Sequence, residues 1–321
     1  DTIFTGLATP AVGCIFIAGV AASFHACDLA WAGYWQGTVP TAAQIAQMNT
    51  SMRPTGTAAL PYPCLQAAAY QGAAGDTILI NAGTYQETVT IATAFDYVGA
   101  TTTTFGNWPV LFGTNLPAAA GTTGLTVTAD NEAGFLEVRG YYSGIGVLGS
   151  PTSDGTLLHH LVVDSCLNGV DFDGACTGDT LTNATIDGAS LGGSTGFRTT
   201  TSSAVTVVLH NTVIVNTATG VTKTAGHTLT GNYNDLFGNT TAYSGTAAGA
   251  NDLAVTPRFR NSSGNDYRTR NLALRAGLAL HSQASPFDRI FMGAWWPEPL
   301  QNGGGRAWGG RLAWGRGEWG R

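Results

Sequence analysis

Four short segments repeat along the middle of this chain: His160-Leu161-Val162-Val163-Asp164, Asn183-Ala184-Thr185-Ile186-Asp187, Asn211-Thr212-Val213-Ile214-Val215 and Asn232-Tyr233-Asn234-Asp235-Leu236. Their first residues lie 23, 28 and 21 positions apart. Periods in this range mark solenoids and other repeat arrays. Three of the segments are followed by glycine and an apolar residue: Gly169-Val170, Gly196-Phe197 and Gly220-Val221. Each period therefore holds two or three short strands joined by turns, too little chain to bury its own apolar side. Stacking one coil on the next buries it. In such a stack Val162, Ile186 and Ile214 are predicted to form an inward aliphatic ladder. Asn183, Asn211 and Asn232 are predicted at equivalent turns, because asparagine tolerates left-handed backbone and can hydrogen-bond its stacked neighbour. Roughly seven to nine coils are expected over residues 64–257.

The composition agrees with stacked β-structure. Only 11% of the 321 residues are charged, against about 25% in an ordinary soluble domain, and Lys223 is the single lysine. The surface must then be wetted by Thr, Ser, Asn and backbone. Residues 1–257 hold 4 basic and 16 acidic side chains (−12), whereas residues 258–321 hold 10 and 4 (+6). An acidic body excludes nucleic acid as the main partner, since neutralising phosphates needs a basic surface. The apolar stretch Ala11–Ser23 is too short to span a bilayer, and no membrane span is expected. A chain that begins at Asp1 fits either a mature exported protein or a trimmed piece of a longer one; the first is favoured, and an extracellular or virion-surface location is expected.

The five cysteines show no metal-binding spacing. Cys14 with Cys27 and Cys166 with Cys176 are near enough in sequence to pair, and buried free thiols are the equal alternative. Residues 1–62, with a polar stretch around Thr41–Met52 that suits a helix, read as an N-terminal cap or docking segment. Residues 63–257 read as the coiled body, 258–300 as a C-terminal cap, and 301–321 as a Gly/Arg/Trp-rich tail.

The run from Gly75 to Ile91, Gly-Asp-Thr-Ile-Leu-Ile-Asn-Ala-Gly-Thr-Tyr-Gln-Glu-Thr-Val-Thr-Ile, resembles the opening coil of pectate-lyase-like right-handed parallel β-helix proteins. Leu65-Gln66-Ala67-Ala68-Ala69 is similar to their N-terminal capping helix. Asn232–Phe237, Pro257-Arg258-Phe259 and Asn265–Arg268 resemble their final coil and cap, and Ile290–Trp295 their closing strand. The resemblance covers about residues 64–296 and implies an all-β right-handed parallel β-helix with an N-terminal cap and a C-terminal tail. It implies little about activity, because the superfamily spans lyases, hydrolases, epimerases, phage tailspikes, adhesins and members without activity.

Chemistry on such a scaffold needs carboxylates in pairs, or carboxylates holding calcium beside a basic group. The candidate catalytic residues are Asp164, Asp171, Asp173 and Asp187, with Asp179 nearby and Arg198, His210 and Lys223 following. None sits in a complete motif of a known activity. Asp171-Phe172-Asp173-Gly174 has a fragment of a calcium-loop pattern without the remainder, so turn-forming aspartates are expected; calcium is the one cofactor left open. His159-His160 is expected to put one ring inward and one outward, as alternate residues of a strand do.

The tail carries a candidate interface: Arg306, Trp308, Arg311, Trp314, Arg316, Trp319 and Arg321, separated by glycines. Trp and Arg dominate interface hot spots. The expected function is a non-catalytic structural or surface protein that assembles with copies of itself or with other particle proteins through its terminal segments, as a virion appendage or decoration, an extracellular filament or a surface layer. The alternative is a polysaccharide lyase, glycoside hydrolase or tailspike-like depolymerase on the same scaffold.

Overall fold

A computed structural model describes residues 14–17, 20–23, 64–100, 108–113, 121–149, 155–200, 204–275 and 292–294. Its body is a parallel β-helix of about six turns, somewhat fewer than the seven to nine expected. Each turn contributes one strand to a seven-stranded parallel sheet and a bent strand or strand pair to an eleven-stranded one. The turn is longer than sequence spacing suggests early on, where Tyr97 pairs with Ala133 in the next layer.

The bend has a local cause. Phe135, His160, Asn183, Asn211 and Tyr233 all have left-handed backbone, with φ between 48° and 58°. The strand register stacks them in one column: His159 and Leu161 flank a partner of Gly134 and Leu136 on one side and of Thr182 and Ala184 on the other. Asn183 and Asn211 take the equivalent positions expected of them. Asn232 does not; it pairs with His210, and Tyr233 one residue later occupies the left-handed site.

Apolar side chains fill the interior in columns. Along the seven-stranded sheet, Val89, Leu125, Ile145, Val170, Phe197, Val221 and Tyr243 are successive partners. Along the other, Val138, Val163, Ile186, Ile214 and Leu236 are. The predicted ladder is therefore correct at Ile186 and Ile214 but shifted by one residue in the first segment. Val163 points inward, whereas Val162 pairs with Thr185 and packs outside against Trp108, Phe135, Tyr267 and Ala294.

The glycine-apolar repeat marks a corner. Gly144, Gly169, Gly196 and Gly220 stand one above another, where any Cβ would meet the carbonyl of the next layer and an aliphatic side chain of the interior. At Gly169 it would lie 2.4 Å from the Gly196 carbonyl oxygen and 2.5 Å from Ile186 Cγ2.

The first turn is closed by the helix Leu65–Gln71. Glu87 accepts from the Leu65 and Gln66 backbone N–H groups at 2.9 and 3.0 Å, satisfying donors that a helix leaves open at its start. Beyond the solenoid, an antiparallel hairpin (Phe259–Asn261 with Asp266–Thr269) and the short helix Leu272–Arg275 form a cap. Residues 292–294 lie against the eleven-stranded sheet: Gly293 N–H donates to the Asn211 carbonyl at 2.8 Å and Ala294 N–H to Thr185 Oγ1 at 3.0 Å.

A separate two-stranded hairpin joins Cys14–Ile17 to Val20–Ser23. Cys166 and Cys176 are both buried and are not joined to each other, so the disulfide considered between them is absent. Each packs among neighbouring layers, where burial pushes the Cys166 thiol up to about 12. Cys27, the stretch 41–52, most of the Ile290–Trp295 run and the tail residues Arg306, Trp308, Arg311, Trp314, Arg316, Trp319 and Arg321 lie outside the described residues.

Candidate functional site

The four aspartates singled out from the sequence fall on two different sheets. Asp164 and Asp187 end two adjacent parallel strands and are direct partners in the register. Asp164 also pairs with Arg139 of the preceding layer, and Val162 with Glu137, so Glu137, Arg139, Asp164 and Asp187 share one outer patch of the eleven-stranded sheet. Asp171 lies on the seven-stranded sheet between Gly146 and Arg198, and Asp173 follows two residues later on the same strand.

The patch on the eleven-stranded sheet holds three carboxylates and one guanidinium. Arg139 Nη2 is 3.0 Å from Glu137 Oε2, while Glu137 Oε1 is buried without a hydrogen-bond partner among the described residues. Tyr267, from the C-terminal hairpin, covers the patch and donates its hydroxyl to Asp164. Asp164 also accepts from Ser165 Oγ at 3.0 Å, and Asp187 from the Ala189 N–H and Asn216 Nδ2 at 2.9 and 3.0 Å. Glu137, Asp164 and Asp187 are only 6–7% exposed, which keeps a polymer chain away from all three.

Burial sets the protonation of this patch. Desolvation raises the Glu137 carboxyl to about 7, with Arg139 opposing and Asp164 reinforcing the rise. Desolvation likewise raises Asp164, against the hydrogen bonds from Tyr267 and Ser165. A carboxyl raised in the fold binds its proton more tightly folded than unfolded. Ionising it therefore costs stability, beginning as pH climbs past the unfolded value near 4.5 and complete above about 7. Glu137→Gln, which keeps the neutral shape, is expected to melt higher than the parent at pH 8, by up to roughly 3 kcal/mol. The gain should vanish toward pH 4.5; paired thermal melts across this range decide it, and a variant less stable at pH 8 contradicts it.

A second polar group sits at the bend of the same sheet. His159 Nε2 is 2.8 Å from Glu132 Oε1, and the Nδ1 atoms of His159 and His160 are 3.0 Å apart. Phe135 stacks on the His160 ring with centroids 4.7 Å apart, and burial pushes His160 down to about 3. The two rings touch each other and both contact Phe135, so they lie on one side and the inward-outward alternation expected of them fails. His160 occupies the left-handed bend, which breaks the two-residue period, and Gly134 leaves the space that the His159 ring fills.

On the seven-stranded sheet, Arg198 Nη2 donates to Asp171 Oδ2 at 2.5 Å and Thr200 Oγ1 to Asp171 Oδ1 at 2.7 Å. In this ion pair only the guanidinium stays partly open, with the Arg198 side chain 27% exposed while Asp171 is buried. Lys223 is held by the Thr224 and His227 carbonyls and His210 by the Asn232 carbonyl, so neither joins Asp171. Asp179 caps the Gly155 and Thr156 N–H groups at 3.3 and 2.8 Å. Among the described residues no group of three or more His, Cys, Asp and Glu is placed to hold a metal ion.

Glu137, Arg139, Glu132 and Tyr267 were not singled out from the sequence. The layer 132–139 has Phe135 where the repeat segments start with His or Asn, so it does not align with them. No helix among the described residues is long and apolar enough to cross a membrane. Comparison with protein-family models, with curated proteins and with solved structures finds no match to this chain.

Proposed function

We propose that this protein is a non-catalytic structural or surface component that assembles through its terminal segments, on a virion or in an extracellular filament or layer, and that it is a divergent member of the pectate-lyase-like β-helix superfamily. The observation carrying this reading is the use made of the stacked carboxylates: Asp164 anchors the C-terminal hairpin through Tyr267, and Asp187 accepts from Ala189 and Asn216 within the solenoid. Residues that would serve an exposed polysaccharide site on this face are instead buried in contacts within the chain. The charge division supports assembly, since the basic tail of one copy complements the acidic body of another.

Removing residues 301–321 is expected to leave the melting transition in place and to abolish assembly, read as particle size by light scattering and electron microscopy. A truncated protein that assembles like the parent contradicts this function. The partly exposed Arg198 beside Asp171 favours one second reading, a depolymerase acting on the outer face of the seven-stranded sheet. Cleavage of uronate polymers by the purified protein, lost in Asp171→Asn, would establish that reading instead.

A further inference from the structure

The two ends of the solenoid are finished differently. At the first turn the capping helix covers the end, and the Gln66 side chain imitates a neighbouring strand: Nε2 donates to the Thr90 carbonyl at 3.2 Å and Oε1 accepts the Thr90 N–H at 2.6 Å. At the last turn, residues 249–255 run along the middle strand, Asp235–Phe237, and touch its neighbours at single points, where Asn251 N–H donates to Asn232 Oδ1 at 2.9 Å and Tyr243 to Asp252. Leu236 N–H donates to the Leu253 carbonyl at 2.9 Å and Leu253 N–H to that of Asn234 at 2.6 Å.

The flanking strands are last in their sheets. Among the described residues, Thr228–Asn232 and Thr241–Ser244 each have one strand neighbour and none beyond. Thr228, Thr230, Thr241 and Ser244 are exposed. Leu229, Ala242 and Tyr243 pack on the core yet stay only half-buried, whereas Val207 and Val221 one layer below are fully buried. Thr241 N–H donates inward to the Ala218 carbonyl at 2.9 Å, so strand alternation turns the Ala242 N–H outward. An edge with outward N–H groups above half-covered apolar side chains is a template for one more strand.

The tail has the matching design. Arg311-Leu312-Ala313-Trp314 is a four-residue run bracketed by Gly309-Gly310 and Gly315, equal in length to Thr241–Ser244. In a strand Leu312 and Trp314 fall on one face and Arg311 and Ala313 on the other. Charge points the same way. Residues 64–257 hold 3 basic and 14 acidic side chains (−11), and residues 301–321 hold 4 and 1 (+3). Asp252 sits at the open end, where it accepts from Tyr243 Oη at 2.5 Å and the Gly249 N–H at 2.7 Å.

We propose that the open last turn receives the tail of a second copy, with the Arg311–Trp314 run adding in parallel above Thr241–Ser244 in the register that sets Gly310 over Thr241 and Leu312 over Tyr243. This rests on the reading that the chain assembles through its terminal segments and names the surface that receives one of them. The contact joins unlike surfaces, so it closes into a ring or continues as a filament.

Full-length Thr241→Cys and Gly310→Cys variants, mixed and oxidised, test the placement. Cross-linked dimers are expected from the mixture and not from either variant alone. Ala242→Pro removes the outward N–H without touching a bond inside the solenoid, and is expected to weaken association at least tenfold with an unchanged melting midpoint. If that variant does not fold, the cross-link stands as the measurement. Thr241→Cys joining to itself, a cross-link inside one chain of the double variant, or no cross-link in protein that assembles would each overturn the proposal. Assembly that needs the tail without a cross-link at Thr241 leaves the functional reading intact and removes only this one; assembly that ignores tail deletion removes both.

Discussion

Replacing Ile186 with Asp is expected to cost about 4 kcal/mol or more, a large part of the roughly 5–15 kcal/mol that holds a domain folded. Ile186 is 1% exposed and lies between Val163 and Ile214 in the interior column, with the corner glycine Gly169 against its Cγ2. Among the described residues no cation faces this column, so the new carboxylate must either stay charged in a dry core or bind a proton at neutral pH, and both are costly. Because each layer rests on its neighbours, the damage spreads to the turns above and below. At this size the midpoint should fall by roughly 8–16 °C. Ile186→Val, which removes one methylene, should cost only about 1 kcal/mol. A melting curve for Ile186→Asp that overlays the parent's would contradict the inward placement.

Gly169→Ala is expected to destabilise nearly as much, for a different reason. The added methyl would sit 2.4 Å from the Gly196 carbonyl oxygen, and that oxygen is fixed in the backbone of the next layer. A side chain in the way can rotate; a carbonyl in a stacked corner moves only if the whole turn above it moves. Overpacking of this kind costs about 1–3 kcal/mol in ordinary cores, and a backbone clash belongs at or above the upper end. Gly192 is the control, because nothing lies within 4 Å of a Cβ built there. Gly192→Ala should stay within about 0.5 kcal/mol of the parent. Chemical denaturation of the three proteins side by side separates the cases, and equal midpoints would mean that the corner is looser than its geometry.

How far the sequence reveals this molecule follows from what each residue must do locally. The left-handed bend selects Asn183 and Asn211, and the crowded corner admits only glycine at 169, 196 and 220. Both constraints leave a visible repeat, which is why the coil can be read before any coordinates. The direction of Val162 and Val163 leaves no such trace. Both are apolar because both faces of that strand are covered, one by the core and one by Trp108, Phe135 and Tyr267. Polarity therefore cannot say which points in. Asn232 misleads in the same way, since Tyr233 takes the bend that asparagine usually fills.

The polar patch was half legible. Asp164 and Asp187 end two aligned segments, and that alignment alone stacks them. Glu137 and Arg139 belong to a layer bent at Phe135, without the repeat's usual opening residue, and Tyr267 arrives from a hairpin about a hundred residues away in sequence. Long-range closure of this kind has no local signature. The pairing of Asp171 with Arg198 is legible only afterwards, as the register of two strands that each follow a glycine-apolar corner.

The hydrogen bonds from Gly293 to Asn211 and from Ala294 to Thr185 act as a hasp across layers whose own strands are joined each to the next. A simple stack pulled at its free end would peel one turn at a time, each release costing no more than the last. Here everything between Thr185 and Ala294 is a closed loop, so the final turns cannot come away singly. Under tension the loop should resist until the hasp slips and then yield in a single step, while the turns before Thr185 would still peel one by one.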